Sequence, residues 1–148
     1  MRIRFKSGLR HQLVGDISVL THIRPVKDIV TEYIELRTDG YLLIRHGYTW
    51  DGPSGPCRLI ADRLPVWLRH KYLKTILPGS LVHDALYELI RQRHLAESFR
   101  KLADLEFKRI NLECGMSKVR AWWTYEAVRK AGSSAADPKN SRPIYTMP

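Results

Sequence analysis

The chain changes character at residues 47–56, where three glycines and two prolines in ten positions exclude a regular helix or a central strand. Before this stretch, residues 16–23 and 31–44 are rich in β-branched, aromatic and alternating apolar side chains, which is typical of strands. After it, apolar residues recur at helical spacing. We therefore predict an α+β fold, in which a small N-terminal antiparallel β-sheet packs on a C-terminal bundle of about four helices.

A length of 148 residues is typical of one compact domain. We assign a single α+β domain to residues 1–132, divided into a β-rich part (1–46), a motif loop (47–56) and a helical part (57–132). The small, polar and proline-containing composition of 133–148 predicts an extended or flexible tail.

Local signals place the elements within these parts. The dipeptide Asp39-Gly40 predicts a tight hairpin turn, because glycine readily adopts positive φ angles. Ser80 is a candidate N-cap for the second helix, and Gly115 and Gly132 are expected to end the third and fourth helices. The first helical stretch is expected to break at Pro65.

The composition limits the classes of partner and compartment. With 25 Lys and Arg against 15 Asp and Glu, the net charge of +10 favours a polyanionic partner, either nucleic acid or anionic lipid. No stretch approaches the roughly 20 apolar residues of a membrane span, and the basic N-terminus lacks the apolar block of a signal peptide. Cys57 and Cys114 are too few for a disulfide framework and are expected to be reduced.

The second helix carries the main candidate for chemistry. At about 100° per residue, His83 and Tyr87 lie together on the flank of its apolar face, and Asp84 points toward its polar side. The same construction places Asp104 on the flank of the third helix. The connection between the two helices is short, which predicts an antiparallel helical hairpin.

Within this hairpin, His83 and Asp104 are equally distant from the turn and should face one another. A carboxylate that accepts one imidazole N–H fixes the tautomer and leaves the other nitrogen free to take a proton, as a general base requires. Tyr87 could donate its hydroxyl to the same carboxylate. The alternative is a structural role, because a His–Asp bond between helices also satisfies buried polar groups.

Two resemblances follow from these motifs. His83-Asp84-Ala85-Leu86-Tyr87 and the later Asp104 resemble the HD-x-x-Y helix and aspartate of the phospholipase A-two superfamily, particularly its short bacterial and fungal members. More closely, the order G-[FY]-x-x-D-x-x-S-x-P, HD-x-x-Y and A-D-x-x-F resembles a family of small uncharacterised proteins of tailed phages and prophages, over about residues 30–132. That resemblance implies the host bacterial cytoplasm or the phage virion as location, and phage structural proteins as possible partners.

The phospholipase resemblance implies a calcium-dependent ester hydrolase. His83 would deprotonate a water molecule, Asp104 would orient His83, and Asp84 would hold a calcium ion together with Asp51. The motif loop would correspond to the calcium loop, through Trp50, Gly52 and Ser54. The loop departs from that pattern at Pro53, which has no backbone N–H to offer an oxyanion. Asp51 could instead cap the loop, and Ser54 could simply form a turn.

The alternative is a non-catalytic virion or accessory protein that binds a protein, nucleic acid or membrane through a basic face. Cationic residues interleave with Trp67 and Tyr72, a pattern that suits an anionic bilayer or a phosphate backbone but also an ordinary solvated face. These cationic residues are Arg58, Arg63, Arg69, Lys71 and Lys74. No motif for sequence-specific reading of DNA is present, and the scattered histidines lack the spacing of transition-metal ligands.

Overall fold

A computed structural model describes residues 1, 3, 5–6, 11–53 and 62–140 of the chain, and over these residues the fold is α+β as predicted. The strands are β1 (Phe5–Lys6), β2 (His11–Leu13), β3 (Ile17–Leu20), β4 (Ile29–Val30), β5 (Ile34–Leu36), β6 (Tyr41–Ile44) and β7 (Thr49–Trp50). The helices are α1 (Val66–Lys74), α2 (Leu77–Arg91), α3 (Arg100–Glu113) and α4 (Lys118–Ala136). Ser54, Cys57 and Arg58 lie outside the described residues, and Cys114 carries a free thiol.

The strands form two small antiparallel sheets, ordered β1-β2-β7 and β3-β6-β5-β4. The predicted hairpin is confirmed: β5 pairs with β6, and Gly40 in the turn between them has a φ of 83°. Buried side chains alternate along both strands, with Ile34 and Leu36 on β5 and Leu42 and Ile44 on β6. This alternation gives the sheet one apolar face, which joins the same core as α2.

The helix α2 lies at the centre of the molecule, and twelve of its fifteen residues are buried. It packs against both α3 and α4 and contributes most of the helical side of the core. By contrast, α1 contains no buried residue. None of the described helices is long and apolar enough to cross a membrane.

The N-cap prediction for Ser80 is wrong, because α2 begins three residues earlier, at Leu77. Pro78 lies in the first turn of α2, where its missing N–H costs no hydrogen bond. The Ser80 hydroxyl donates to the Leu77 carbonyl at 2.9 Å and accepts the indole N–H of Trp50 at 3.3 Å. Ser80 therefore links α2 to β7, an edge strand that extends the β structure beyond the predicted limit at residue 46.

The predicted end of the last helix at Gly132 is also wrong, since α4 continues to Ala136 and a 3₁₀ turn follows at Pro138–Asn140. The predicted tail is therefore helical where it begins. Gly132 is needed for packing instead of termination: a Cβ atom at this position would lie 2.3 Å from the Tyr87 hydroxyl oxygen. Gly115, with a φ of 89°, does follow the end of α3 as predicted.

A buried carboxylate connects the sheet to the helices. Glu106 of α3 accepts the backbone N–H of His22 at 3.0 Å and lies 2.6 Å from the Nδ1 atom of that residue. Arg109 donates to the other Glu106 oxygen at 2.6 and 2.9 Å. Burial alone would raise the pKa of Glu106, but the hydrogen bonds from Arg109 and His22 outweigh it and hold the pKa below its usual value.

We expect Glu106→Gln to lower the free energy of unfolding at pH 7 by about 1–3 kcal/mol, because a buried charge-assisted network loses its acceptor. A depressed folded-state pKa stabilises the protein above the ordinary glutamate pKa of 4.5, and this contribution disappears as the pH falls through the folded value. The difference between wild type and variant should therefore shrink in urea denaturation series run from pH 7 to pH 3. The matched control is Glu113→Gln, which removes an exposed partner of the same Arg109 and should cost less than about 1 kcal/mol. A difference that is independent of pH would contradict this account.

Candidate active site

A cavity of about 500 Å³ opens between the end of the β region and the helices. One wall is the segment from Tyr48 to Pro53, which includes β7. The opposite wall consists of α2 and α4 residues, and Phe107 of α3 closes part of the cavity. From α2 come six polar or titratable side chains, namely Ser80, His83, Asp84, Tyr87, Glu88 and Arg91.

The predicted juxtaposition of His83 and Asp104 is present. The Nε2 atom of His83 lies 2.7 Å from Oδ1 of Asp104, across the antiparallel pair of α2 and α3. Asp104 has no exposed surface, and His83 is 8% exposed, at the cavity wall. This is a buried histidine–carboxylate dyad in the wall of the cavity.

Asp104 accepts two further hydrogen bonds. The Tyr87 hydroxyl donates to the same Oδ1 atom at 2.7 Å, as the sequence predicted, and Arg129 of α4 donates to Oδ2 at 2.6 Å. Sequence reasoning missed Arg129, because its approach depends on how α4 crosses the helical hairpin. The available signal was electrostatic: a carboxylate on the border of an apolar helix face needs a cationic partner, and Arg129 lies on the next helix.

The charges in this cluster support one another. Burial would raise the pKa of Asp104, but hydrogen bonds from His83, Arg129 and Tyr87 lower it below the usual range, so the carboxylate is ionised. Burial would lower the pKa of His83, but the hydrogen bond to Asp104 and the nearby Asp84 carboxylate outweigh this and raise it. Burial, reinforced by Asp104, raises the pKa of Tyr87, which therefore stays a hydrogen-bond donor.

The second ring nitrogen of His83 is the one available for chemistry. Because an ionised carboxylate only accepts hydrogen bonds, the neutral ring places its proton on Nε2 and its lone pair on Nδ1. The Nδ1 atom lies 3.7 Å from Oδ1 of Asp84, a residue that lines the cavity. A neutral His83 therefore has its lone pair on the nitrogen that does not bond Asp104, as a general base requires.

Asp84 and Asp51, the predicted calcium ligands, both line the cavity. Burial raises the pKa of Asp84; His83 acts against this, and the negative charge of Asp51 adds to the rise. Hard oxygen donors of this kind suit a divalent cation, although calcium takes six to eight oxygen ligands. Within the described part of the chain, no group of three or more His, Cys, Asp or Glu side chains is arranged to hold an ion. The fit is therefore limited to two carboxylates.

The other motif-loop residues have structural positions beside this site. Trp50 is buried and bonds Ser80, as described above. Gly52 has a φ of 75°, and a Cβ atom there would lie 2.6 Å from the His11 ring. Trp50 and Gly52 therefore fix the path of the loop that carries Asp51.

A polar wall that the sequence did not predict lies one turn beyond the dyad. The Tyr48 hydroxyl donates to Oε2 of Glu88 at 3.0 Å, and Gln92 donates to Oε1 at 2.9 Å. Arg91 donates to the Ala135 carbonyl at 2.9 Å, and so joins the ends of α2 and α4. None of the described residues of the predicted basic set, Arg63, Arg69, Lys71 and Lys74, lines the cavity.

The contact between Gly132 and Tyr87 predicts the sign of the stability change in Gly132→Ala. Glycine to alanine within a helix ordinarily stabilises by up to about 1 kcal/mol. We expect Gly132→Ala instead to destabilise by about 1–3 kcal/mol, because Tyr87 must be displaced from Asp104. Urea denaturation measures this, and the cost of Gly132→Ala should fall in a Tyr87→Phe background, which lacks the hydroxyl. A stabilising Gly132→Ala would show that this packing is wrong.

Comparisons with known proteins add a family assignment. The profile of the family described as "Protein of unknown function (DUF1353)" matches residues 30–128, which include the hairpin, the motif loop, the dyad and most of α4. No curated protein and no solved structure shows a significant match. Because the matched region covers about two-thirds of the chain and contains every residue of the His83–Asp104 cluster except Arg129, the chain belongs to the DUF1353 family.

Proposed function

We propose that this protein is a phospholipase-like ester hydrolase in which His83 is the general base and Asp104 orients it. The observation that carries the proposal is the 2.7 Å contact between His83 Nε2 and the ionised, fully buried Asp104, in the wall of a cavity of about 500 Å³ that His83 lines. A cavity of this volume is within the usual range for small-molecule sites.

The proposed reaction needs one proton acceptor and one acyl acceptor. His83 Nδ1 takes a proton from water while the water oxygen forms a bond to the ester carbonyl carbon. The resulting tetrahedral intermediate collapses with cleavage of the ester C–O bond, and the imidazolium returns the proton to the leaving alkoxide. Asp104 stabilises the imidazolium without itself taking the proton.

Tyr87 and Arg129 act as positioning residues in this scheme. Each donates to Asp104 and therefore fixes the carboxylate that fixes His83. The positive charge of Arg129 also compensates the buried Asp104 when the histidine is neutral, which is the state that a base needs.

Asp84 and Asp51 are the residues that we propose to hold a calcium ion. A calcium ion held there would supply Lewis-acid polarisation of the ester carbonyl. The two carboxylates would leave most of the coordination to backbone carbonyl groups and water molecules.

The substrate class rests on the resemblance of the HD-x-x-Y helix and Asp104 to the phospholipase A-two superfamily. The same motifs resemble proteins of tailed phages and prophages, and we propose the host bacterial cytoplasm or the phage particle as the setting for this activity.

We expect His83→Asn to lower ester hydrolysis by about 10²–10⁴-fold, the usual contribution of a general base. The assay follows fatty-acid release from mixed anionic phospholipid vesicles and from soluble aryl esters. The matched control is His22→Asn, because His22 also contacts a buried carboxylate at 2.6 Å but is exposed and lies outside the cavity. Unchanged hydrolysis in His83→Asn, or no hydrolysis of any ester by the wild type, would overturn the proposal.

Calcium titration by calorimetry tests the ion separately. We expect binding by the wild type and a loss of at least about tenfold in affinity in Asp84→Asn, since a carboxylate ligand becomes a neutral amide. Asp28→Asn is the control, because Asp28 does not line the cavity and its carboxylate accepts the backbone N–H of Thr38. Equal calcium binding by wild type and Asp84→Asn would remove the ion from the proposal and leave the dyad untouched.

A further inference from the structure

The short helix α1 exposes two large apolar side chains to solvent. Val66 is 74% exposed and Trp67 is 72% exposed. No residue of α1 is buried. A large aromatic side chain on a helix that contributes so little to the core indicates a surface with a use outside the fold.

Cationic residues extend from this apolar pair along the same side of α1. Trp67, Lys71 and Lys74 are spaced i, i+4 and i+7, so they share one helix face, and all three are exposed. The exposed His70 lies beside them. We call Val66, Trp67, His70, Lys71 and Lys74 the α1 face.

The opposite side of α1 is held against the body of the protein. The guanidinium of Arg120 in α4 stacks 3.5 Å from the centre of the Tyr72 ring. It also donates to the Tyr72 carbonyl and to the Thr75 hydroxyl, both at 3.0 Å. Tyr72 lies about 140° around the helix from Trp67, so these contacts orient the α1 face outward.

We propose that the α1 face docks on the surface of a bilayer rich in anionic phospholipid. Lysines and an exposed tryptophan on one helix face match such a surface in both respects, since the cations attract the headgroups and the indole enters the interface. The net charge of +10 adds long-range attraction. A nucleic acid would use the lysines and the indole but would leave Val66 without a role, which favours the lipid.

This docking does not depend on the proposed hydrolysis, although the two fit together. The helix α1 ends at Lys74, and Ile76, two residues later, lines the cavity. The helix α1 therefore directly precedes a cavity-lining residue in the chain.

Vesicle co-sedimentation tests the proposal with the full chain, on phosphatidylcholine alone and on a 3:1 mixture with phosphatidylglycerol. We expect binding to the mixed vesicles only, and a loss of at least about tenfold in the Lys71→Glu/Lys74→Glu variant, because each lysine near an anionic surface contributes substantially. Trp67→Ala should also weaken binding and should abolish the part of the tryptophan emission shift that lipid causes.

The matched control is Lys27→Glu/Lys139→Glu, which changes the net charge by the same amount at exposed positions. Lys27 lies beside Arg93 and His94, beyond the C-terminal end of α2, whereas α1 precedes its N-terminal end. Equal losses in the two double variants would show that only net charge matters and would overturn the proposal. A preference for duplex DNA over mixed vesicles at the same salt concentration, with Trp67→Ala unaffected, would overturn it as well. Hydrolysis of soluble esters should be unchanged in the α1 variants, so failure of docking and failure of catalysis are distinguishable.

Discussion

A carboxylate with no exposed surface is the constraint on which the helical part depends. Asp104 is ionised inside the bundle, and an uncompensated charge there would cost several kcal/mol. His83 and Tyr87 of α2 and Arg129 of α4 compensate this charge through hydrogen bonds. Asp104 itself belongs to α3, so its side chain connects three helices. The same bonds that stabilise the bundle also orient the histidine, and this is why a structural role and a catalytic role are not exclusive.

The β region is tied to the same helices by polar contacts at separate points. Glu106 bonds the chain after β3, the Trp50 indole bonds Ser80, and the Tyr48 hydroxyl bonds Glu88. The last two contacts border the cavity, and they fix the segment that carries Asp51 opposite Asp84. The segment from Tyr48 to Pro53 therefore builds one wall of the candidate site, and buried strand residues also contribute to the core. The helix α1 is held separately, by Arg120 of α4 against Tyr72 and Thr75.

The sequence predicted what depends on local spacing. The Asp39-Gly40 hairpin and the level pairing of His83 with Asp104 follow from turn chemistry and from helical periodicity across a short connection. The predictions from sequence were wrong where a residue typical of a helix end has a different structural role. Serine is a common N-cap residue, but Ser80 accepts a hydrogen bond from Trp50 instead. Glycine often ends a helix, but Gly132 allows close packing with Tyr87.

Arg129 could not be placed from spacing at all, because its contact depends on the crossing of α4 over a hairpin formed by distant residues. The family match covers the whole motif region, and the family has no assigned activity. The proposed chemistry therefore depends on the dyad itself, above all on which nitrogen of His83 is protonated. Tautomer assignment by ¹⁵N NMR of the imidazole, at a pH where the ring is neutral, tests this most directly. We predict a proton on Nε2 and a bare Nδ1 in the His83 ring. A neutral ring with its proton on Nδ1 would contradict the account, because the nitrogen that is not bonded to Asp104 would then have no lone pair to accept a proton.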